Sequence, residues 1–143
     1  MPRTQALQDW ITQLFPGQAP DLAPASADAS FRRYFRITLA DGSTRVIMDA
    51  PPEHEDCRPY LQVARLLDDA GVHVPRVFAE DLQQGFLLLS DLGNTTYLDA
   101  LKAHPEGAAA LYREASAALV TLQKASRPGV LPEYDHALLS REL

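Results

Sequence analysis

Cysteine is nearly absent from this chain. Cys57 is the only one in 143 residues, so no disulfide can close within it, which fits a reducing compartment. Surplus positive charge is missing too. A net charge of −6 removes the basic face that a general nucleic-acid binder or a protein drawn to anionic lipid needs. Long apolar runs are lacking, and none approaches the roughly 20 residues of a membrane span. The first ten residues are polar and amphipathic, with no hydrophobic region of a signal peptide. The composition therefore reads as a cytoplasmic protein with no nucleic-acid and no membrane partner. His54, His73, His104 and His136 stand at no metal-ligand spacing from one another or from Cys57, so no metal site is assigned. Cys57 lacks the partner pattern of a nucleophile and reads as an inert thiol.

What is present is a folding sequence. Hydrophobic residues make up 46% and charged residues 22%, the balance of a globular chain and not of a disordered one. Leu7, Trp10, Ile11, Leu14 and Phe15 mark one face of a helix, with Thr4 as a candidate cap and Pro16-Gly17 as the stop. Residues 16–30, with Pro16, Pro20 and Pro24, read as an extended loop. From Phe31 the period becomes two. Phe31, Arg33, Phe35, Ile37 and Leu39 share one face; Arg32, Tyr34, Arg36 and Thr38 share the other. Asp41-Gly42 signals a hairpin turn, and residues 44–49 form the return strand.

A helix is predicted over residues 55–70, with Tyr60, Val63, Ala64 and Leu67 as its apolar stripe, widened by Leu61 and Leu66. Gly71 stands at its C′ position. Strands are predicted over 76–82 and 85–90, the second a continuous apolar run suited to burial on both faces. Thr96 with Asp99 resembles a capping box. Pro105 opens a further helix whose buried stripe is Leu111, Ala115, Ala118, Leu119 and Leu122. Residues 134–143 look helical and reach the end of the sequence with no stop signal, which suggests a chain that continues.

Four segments carry a resemblance: Ser26-Ala-Asp-Ala-Ser-Phe-Arg-Arg-Tyr-Phe-Arg36, Val46-Ile-Met-Asp-Ala-Pro-Pro52, Gly71-Val-His-Val-Pro-Arg-Val77 and Gly85-Phe-Leu-Leu-Leu-Ser-Asp-Leu-Gly93. In this order they resemble the aminoglycoside phosphotransferase-like family of small-molecule kinases. Within it the likeness is nearest to the anomeric amino-sugar kinases, which phosphorylate N-acetylmuramate and N-acetylglucosamine at C1 in cell-wall recycling. The resemblance implies an α+β fold: a protein-kinase-like small lobe over residues 1–90, then a hinge and the first helices of a truncated C-terminal lobe over 91–143. It implies ATP as cosubstrate, Mg²⁺ with ligands outside this chain, and a sugar as acceptor.

The resemblance also implies where nucleotide would lie. The phosphate loop corresponds to residues 26–31, with Ser26, Asp28, Ser30 and Phe31, running into Arg32 and Arg33. It has no glycine, so small residues and serine hydroxyls would face phosphate, and either arginine would pair with phosphate oxygens. Either arginine is equally well a solvated strand residue; Arg33 is the more interesting, because alternation puts it on the Phe31/Phe35 face. The strand residue that is a lysine in kinases falls on Met48 or Asp49, depending on register. A carboxylate there would repel triphosphate. Its glutamate partner has no match, and Glu53, Glu55 and Asp56 read as acids favoured at a helix N-terminus. Val46 and Leu89 would flank the base. The backbone of Leu89, Ser90, Asp91 and Leu92 would read its edge, with Leu88 near the gatekeeper position.

No catalytic residue is assigned. Phosphoryl transfer needs a group to orient the acceptor hydroxyl and ligands for Mg²⁺. The His-x-Asp…Asn loop and later Asp that supply them in this family do not occur in residues 1–143. The chain alone is therefore expected to be inactive. Its open lobe surface is expected to favour a non-native dimer. Two other readings stay open: a non-catalytic nucleotide-binding or regulatory module, and a plain α+β interaction domain.

Overall fold

A computed structural model describes residues 2–27 and 31–142. Among them, helix α1 (Pro2–Leu14) is followed by strands β1 (Ala23–Ala27), β2 (Arg33–Thr38) and β3 (Thr44–Asp49), helix α2 (Cys57–Asp69), and strands β4 (Val77–Asp81) and β5 (Phe86–Ser90). The strands form one antiparallel sheet in the order β1-β2-β3-β5-β4. Helices α3 (Tyr97–Ala103), α4 (Ala108–Ala125) and α5 (His136–Glu142) follow, with a 3₁₀ turn at Pro105–Gly107 before α4. The α+β class expected from the sequence is the class found.

The sheet is buried between two helices. On one face Leu7, Trp10 and Ile11 of α1 pack against Ile37, Ile47, Phe86 and Leu88. On the other, Cys57 and Leu61 of α2 pack against Met48, Ala50, Leu87 and Leu89. The continuous run Phe86-Leu87-Leu88-Leu89 thus serves both cores, because successive strand residues point to opposite faces. Each fully buried side chain of this set contributes about 1.5–3 kcal/mol.

Several local expectations change. Thr4 lies inside α1, which begins at Pro2, so it does not cap the helix. Part of the expected loop is strand β1, paired with β2 and bulged between Pro24 and Ser26. Proline has no N–H for a ladder, and an edge strand with a bulge is where a sheet tolerates it. Phe31 precedes β2 and is exposed, its ring stacked on His54 with centroids 4.4 Å apart. The buried stripe of α2 is Cys57, Tyr60, Leu61 and Ala64, whereas Val63 is exposed. The stripe Leu111, Ala115, Ala118, Leu119 and Leu122 has helical spacing, but among the described residues nothing buries it beyond the half-covered Leu111.

Other local signals hold. Asp56 caps α2 by accepting from the Arg58 amide at 2.9 Å. Gly71 ends it at φ +83°, where the Gly71 and Val72 amides donate to Asp68 and Leu67 carbonyls. Thr96 and Asp99 form the reciprocal capping box that opens α3.

Candidate functional site

Strand β2 sorts its side chains by alternation. Arg33, Phe35 and Ile37 face α1; Tyr34 and Arg36 face the α2 side, and Arg32 joins them just before the strand. Pairing carries this sorting across the sheet. Tyr34 stands opposite Met48 and Arg36 opposite Val46, while Met48 stands opposite Leu87 and Val46 opposite Leu89. The α2 side therefore holds an apolar strip of Tyr34, Val46, Met48, Leu87 and Leu89. Leu88, expected near the gatekeeper position, faces α1 instead; Leu87 and Leu89 are the strip residues of β5.

Each end of the strip carries an arginine held by an acid. At one end Arg32 Nε donates to Glu55 Oε2 at 3.1 Å. Burial opposes the charge on Arg32, and the Tyr34 hydroxyl and Glu55 outweigh it. At the other end Arg36 grips Asp91 by two bonds, Nε to Oδ2 at 2.5 Å and Nη2 to Oδ1 at 2.9 Å. The Gly93 amide also donates to Asp91 Oδ1 at 2.9 Å. The Arg36 hydrogen bonds, above all, hold the Asp91 carboxyl far below the usual carboxylate range, against the opposing effect of burial.

Asp49 lies on the other side of the sheet. It is fully buried on the α1 side, away from the strip. Arg3 donates Nε to its Oδ1 at 2.8 Å, and Arg33 donates Nε to its Oδ2 at 3.0 Å, with the Arg33 Nη2 also on Oδ2. A lone buried carboxylate is costly, and two guanidinium groups offset that cost. Arg3 further bonds the Gln84 carbonyl and lies over the Phe86 ring. Met48, in contrast, shares the α2 side with Val46. Of the two, Met48 is the one on the strip side, and no carboxylate of β3 faces the strip.

The sequence-derived site residues thus separate. Val46, Met48 and Leu89 share the strip, with Arg32 at one end and Asp91 at the other. Arg33 is committed to Asp49 on the opposite face. Phe31 stacks on His54 outside the strip. Asp28 and Ser30 lie outside the described residues; Ser26 is placed by its backbone opposite Tyr34 in the β1–β2 ladder. Sequence reasoning passed over Tyr34, Arg36 and the Glu55 pairing. The period-two run Arg32-x-Tyr34-x-Arg36 was the available signal for the first two; Asp91 lies 55 residues from Arg36, and no local pattern links them.

The strip is apolar with a cation at each end: Met48, Leu87 and Leu89 are buried beneath α2, Tyr34 and Val46 are half-exposed, and among the described residues it offers no nucleophile or general base. A groove of about 390 Å³ lies elsewhere, between α2 and β4, lined among others by Leu61, Arg65, Val77 and Glu80. Its Arg65–Glu80 pair is long, at 3.9 Å, and solvated. Among the described residues no three His, Cys, Asp or Glu side chains converge to hold a metal ion, and no helix is long and apolar enough to cross a membrane. Asp49 and Asp91 are both already engaged by arginine.

Comparison with known proteins gives the site a context. Residues 21–143 match the phosphotransferase enzyme family. The chain is 54% identical to an N-acetylmuramate/N-acetylglucosamine kinase of Pseudomonas aeruginosa, across 99% of this chain and 44% of that protein. It is 49% identical to a protein of the same name from Neisseria meningitidis serogroup B, across 100% of this chain and 43% of that protein. A third, from Pseudomonas putida, is 50% identical across 89% of this chain and 37% of that protein. The chain therefore spans less than half the length of these curated relatives.

Proposed function

The chain belongs to the phosphotransferase enzyme family, and on that premise we propose that it is the nucleotide-binding part of an amino-sugar kinase. The reaction is transfer of the γ-phosphate of ATP to a sugar hydroxyl, at C1 of N-acetylmuramate or N-acetylglucosamine, in the cytoplasmic recycling of cell wall. Residues 1–90 form the nucleotide lobe, and residues 91–143 the hinge and the start of a second, helical lobe.

The observation that carries the reading is the strip on the α2 side, with Arg32 at one end and the chain leaving β5 at the other. From residue 32 to residue 36 is about 13 Å along an extended strand, close to the reach of a nucleotide triphosphate from base to terminal phosphate. Val46 and Leu89 flank the base. Backbone groups of residues 89–92 read its edge. Arg32, oriented by Glu55, meets the phosphates, in place of the lysine that Met48 does not supply. Arg33 holds the fold through Asp49 and does not reach the ligand.

Mg²⁺ does not fit the described residues, because no acidic cluster converges on the strip and no step here runs through a metal. Nor, among the described residues, does any group stand free to abstract the acceptor proton. The 143 residues bind and orient; they do not transfer.

The test is sugar-dependent ATP consumption by a polypeptide of the relatives' length that carries this sequence, beside the 143-residue chain. The longer protein should turn over with N-acetylmuramate or N-acetylglucosamine, and the shorter one should not. Arg32→Ala in the longer protein should raise the KM for ATP about tenfold, the scale of one charged hydrogen bond. Arg33→Ala should lower stability with KM nearly unchanged. Turnover by the 143 residues alone would refute this division of labour.

A further inference from the structure

We propose that Arg36 is a positioning residue for the nucleotide base, acting through Asp91 on the segment that leaves β5. The inference rests on the nucleotide-binding reading above and assigns a determinant of base specificity within that site.

The geometry is as follows. Arg36 stands opposite Val46, and Val46 opposite Leu89, so Arg36 belongs to the cross-strand row that ends at the flank of the base. Its guanidinium does not point to open solvent. It forms a two-bond fork with Asp91 and touches the Gly93 carbonyl at 3.4 Å. The Asp91 side chain is 7% exposed, and it receives the Gly93 amide as well. Two stretches of chain far apart in sequence therefore meet on one carboxylate: β2 and the segment after β5.

The consequence falls on the backbone. Any edge-on reading of a base by N–H and C=O groups of residues 89–92 depends on where those groups lie relative to Val46. Asp91 sits inside that segment, and its fork fixes orientation as well as distance, because guanidinium and carboxylate are planar partners. A lysine at 36 would keep the charge and lose the fork. The segment would then keep its attraction to β2 but lose its defined angle. An ordinary surface pair, such as Arg65–Glu80, has neither the burial nor the fork.

Arg36 and Arg32 therefore serve opposite ends of the strip. One sets the base end through a neighbour; the other meets phosphate directly. Variants of the two should separate base from phosphate recognition, which a general loss of structure would not do.

The experiment is an amide NMR titration of a polypeptide of the relatives' length that carries this sequence, with three probes: Mg-ATP, Mg-GTP and inorganic tripolyphosphate. In Arg36→Lys the dissociation constant for ATP should rise about tenfold, the equivalent of one lost charge-assisted hydrogen bond. The preference between ATP and GTP should shrink toward unity. Affinity for tripolyphosphate should stay unchanged. Asp91→Asn, which keeps the side-chain shape, should show the same pattern, and Arg65→Ala should alter none of the three. Unchanged ATP affinity and base preference in a folded Arg36→Lys chain would overturn the proposal. So would equal weakening of ATP and tripolyphosphate. If ATP perturbs no amide of Val46 or residues 89–92 in the unmutated chain, the nucleotide reading itself falls, and this proposal with it; failure of the proposal alone leaves those perturbations in place.

Discussion

Met48 and Asp49 are neighbours on β3 that face opposite sides of the sheet: Met48 packs beneath α2, and Asp49 is held by Arg3 and Arg33 beneath α1. One residue of register thus decides whether the apolar strip meets a thioether or a carboxylate. The thioether leaves the strip uncharged between its two arginine ends. The carboxylate ties the first helix to the sheet from 46 residues away.

Asp49→Ala should therefore cost stability and spare the strip. It leaves Arg3 and Arg33 side by side without their shared acceptor. Breaking a buried pair costs about 3–5 kcal/mol, and the lower end applies here because both arginines reach solvent. Urea denaturation should show a loss of unfolding free energy of that size, read from midpoint and slope together. ATP affinity of the folded protein should hold. A variant as stable as the parent would mean that the two arginines fasten α1 without the carboxylate.

Gly85 supplies a sharper contrast. Its φ is +71°, and a Cβ there would lie 1.9 Å from the Ala50 carbonyl oxygen, in the backbone bridge where Ala50 donates to Gly85 at 2.8 Å. Gly42 has a similar φ of +81° at the β2–β3 turn, with open space around it. Gly42→Ala should cost about 1 kcal/mol, the left-handed penalty alone. Gly85→Ala adds a backbone collision and should cost at least about 3 kcal/mol, or prevent folding. Equal midpoints for the two variants would remove the collision from the account.

These residues also mark how far sequence reasoning reached. Turn and cap chemistry is local, so Asp41-Gly42, Gly71 and the Thr96–Asp99 box could be read directly. The α1 stripe was legible for the same reason: helical periodicity sits within a few residues. Strand β1 was not, because alanine, proline and serine are weak strand formers and only pairing with β2 makes 23–27 extended. The expected α2 stripe held Leu61, Tyr60 and Ala64 correctly but included Val63, which is exposed, and missed Cys57, which the sheet buries. On β2 the alternation was read correctly, and it favoured Arg33, beside Phe31 and Phe35, as the more interesting of the two arginines. Only the tertiary partners, Glu55 for one and the buried Asp49 for the other, show which arginine is taken up by the core carboxylate.

Cys57 should be chemically silent in the native protein. It is buried against the sheet, and burial is the main cause that pushes its thiol above the ordinary range; nearby Arg32 only partly opposes it. Thiolate is the reactive form, so alkylation by iodoacetamide at pH 8 should be far slower than for a free cysteine. The rate should rise with urea as the fold opens, tracking local unfolding free energy. Reaction at the rate of a free thiol would mean that α2 does not cover the sheet at its first turn.

Asp91 should show its charge in the pH dependence of stability. Its folded pKa lies well below the unfolded value of about 4, with the Arg36 fork as the first cause. Above pH 4 the group is ionised in both states, so its stabilisation is fully present. As pH falls below 4 the unfolded chain takes up the proton first, and the contribution declines toward the lower folded pKa. Asp91→Asn removes the charge at every pH. At pH 7 the variant should be less stable by about 1.5–3 kcal/mol, the scale of hydrogen bonds to a charged group. That gap should persist down to about pH 5 and then narrow steadily toward pH 2. Denaturation midpoints of parent and variant at pH 7, 5, 3 and 2 measure it. A gap that stays constant across that range would show that the fork holds through shape alone, and the lowered carboxyl would no longer account for how the segment after β5 is fixed to β2.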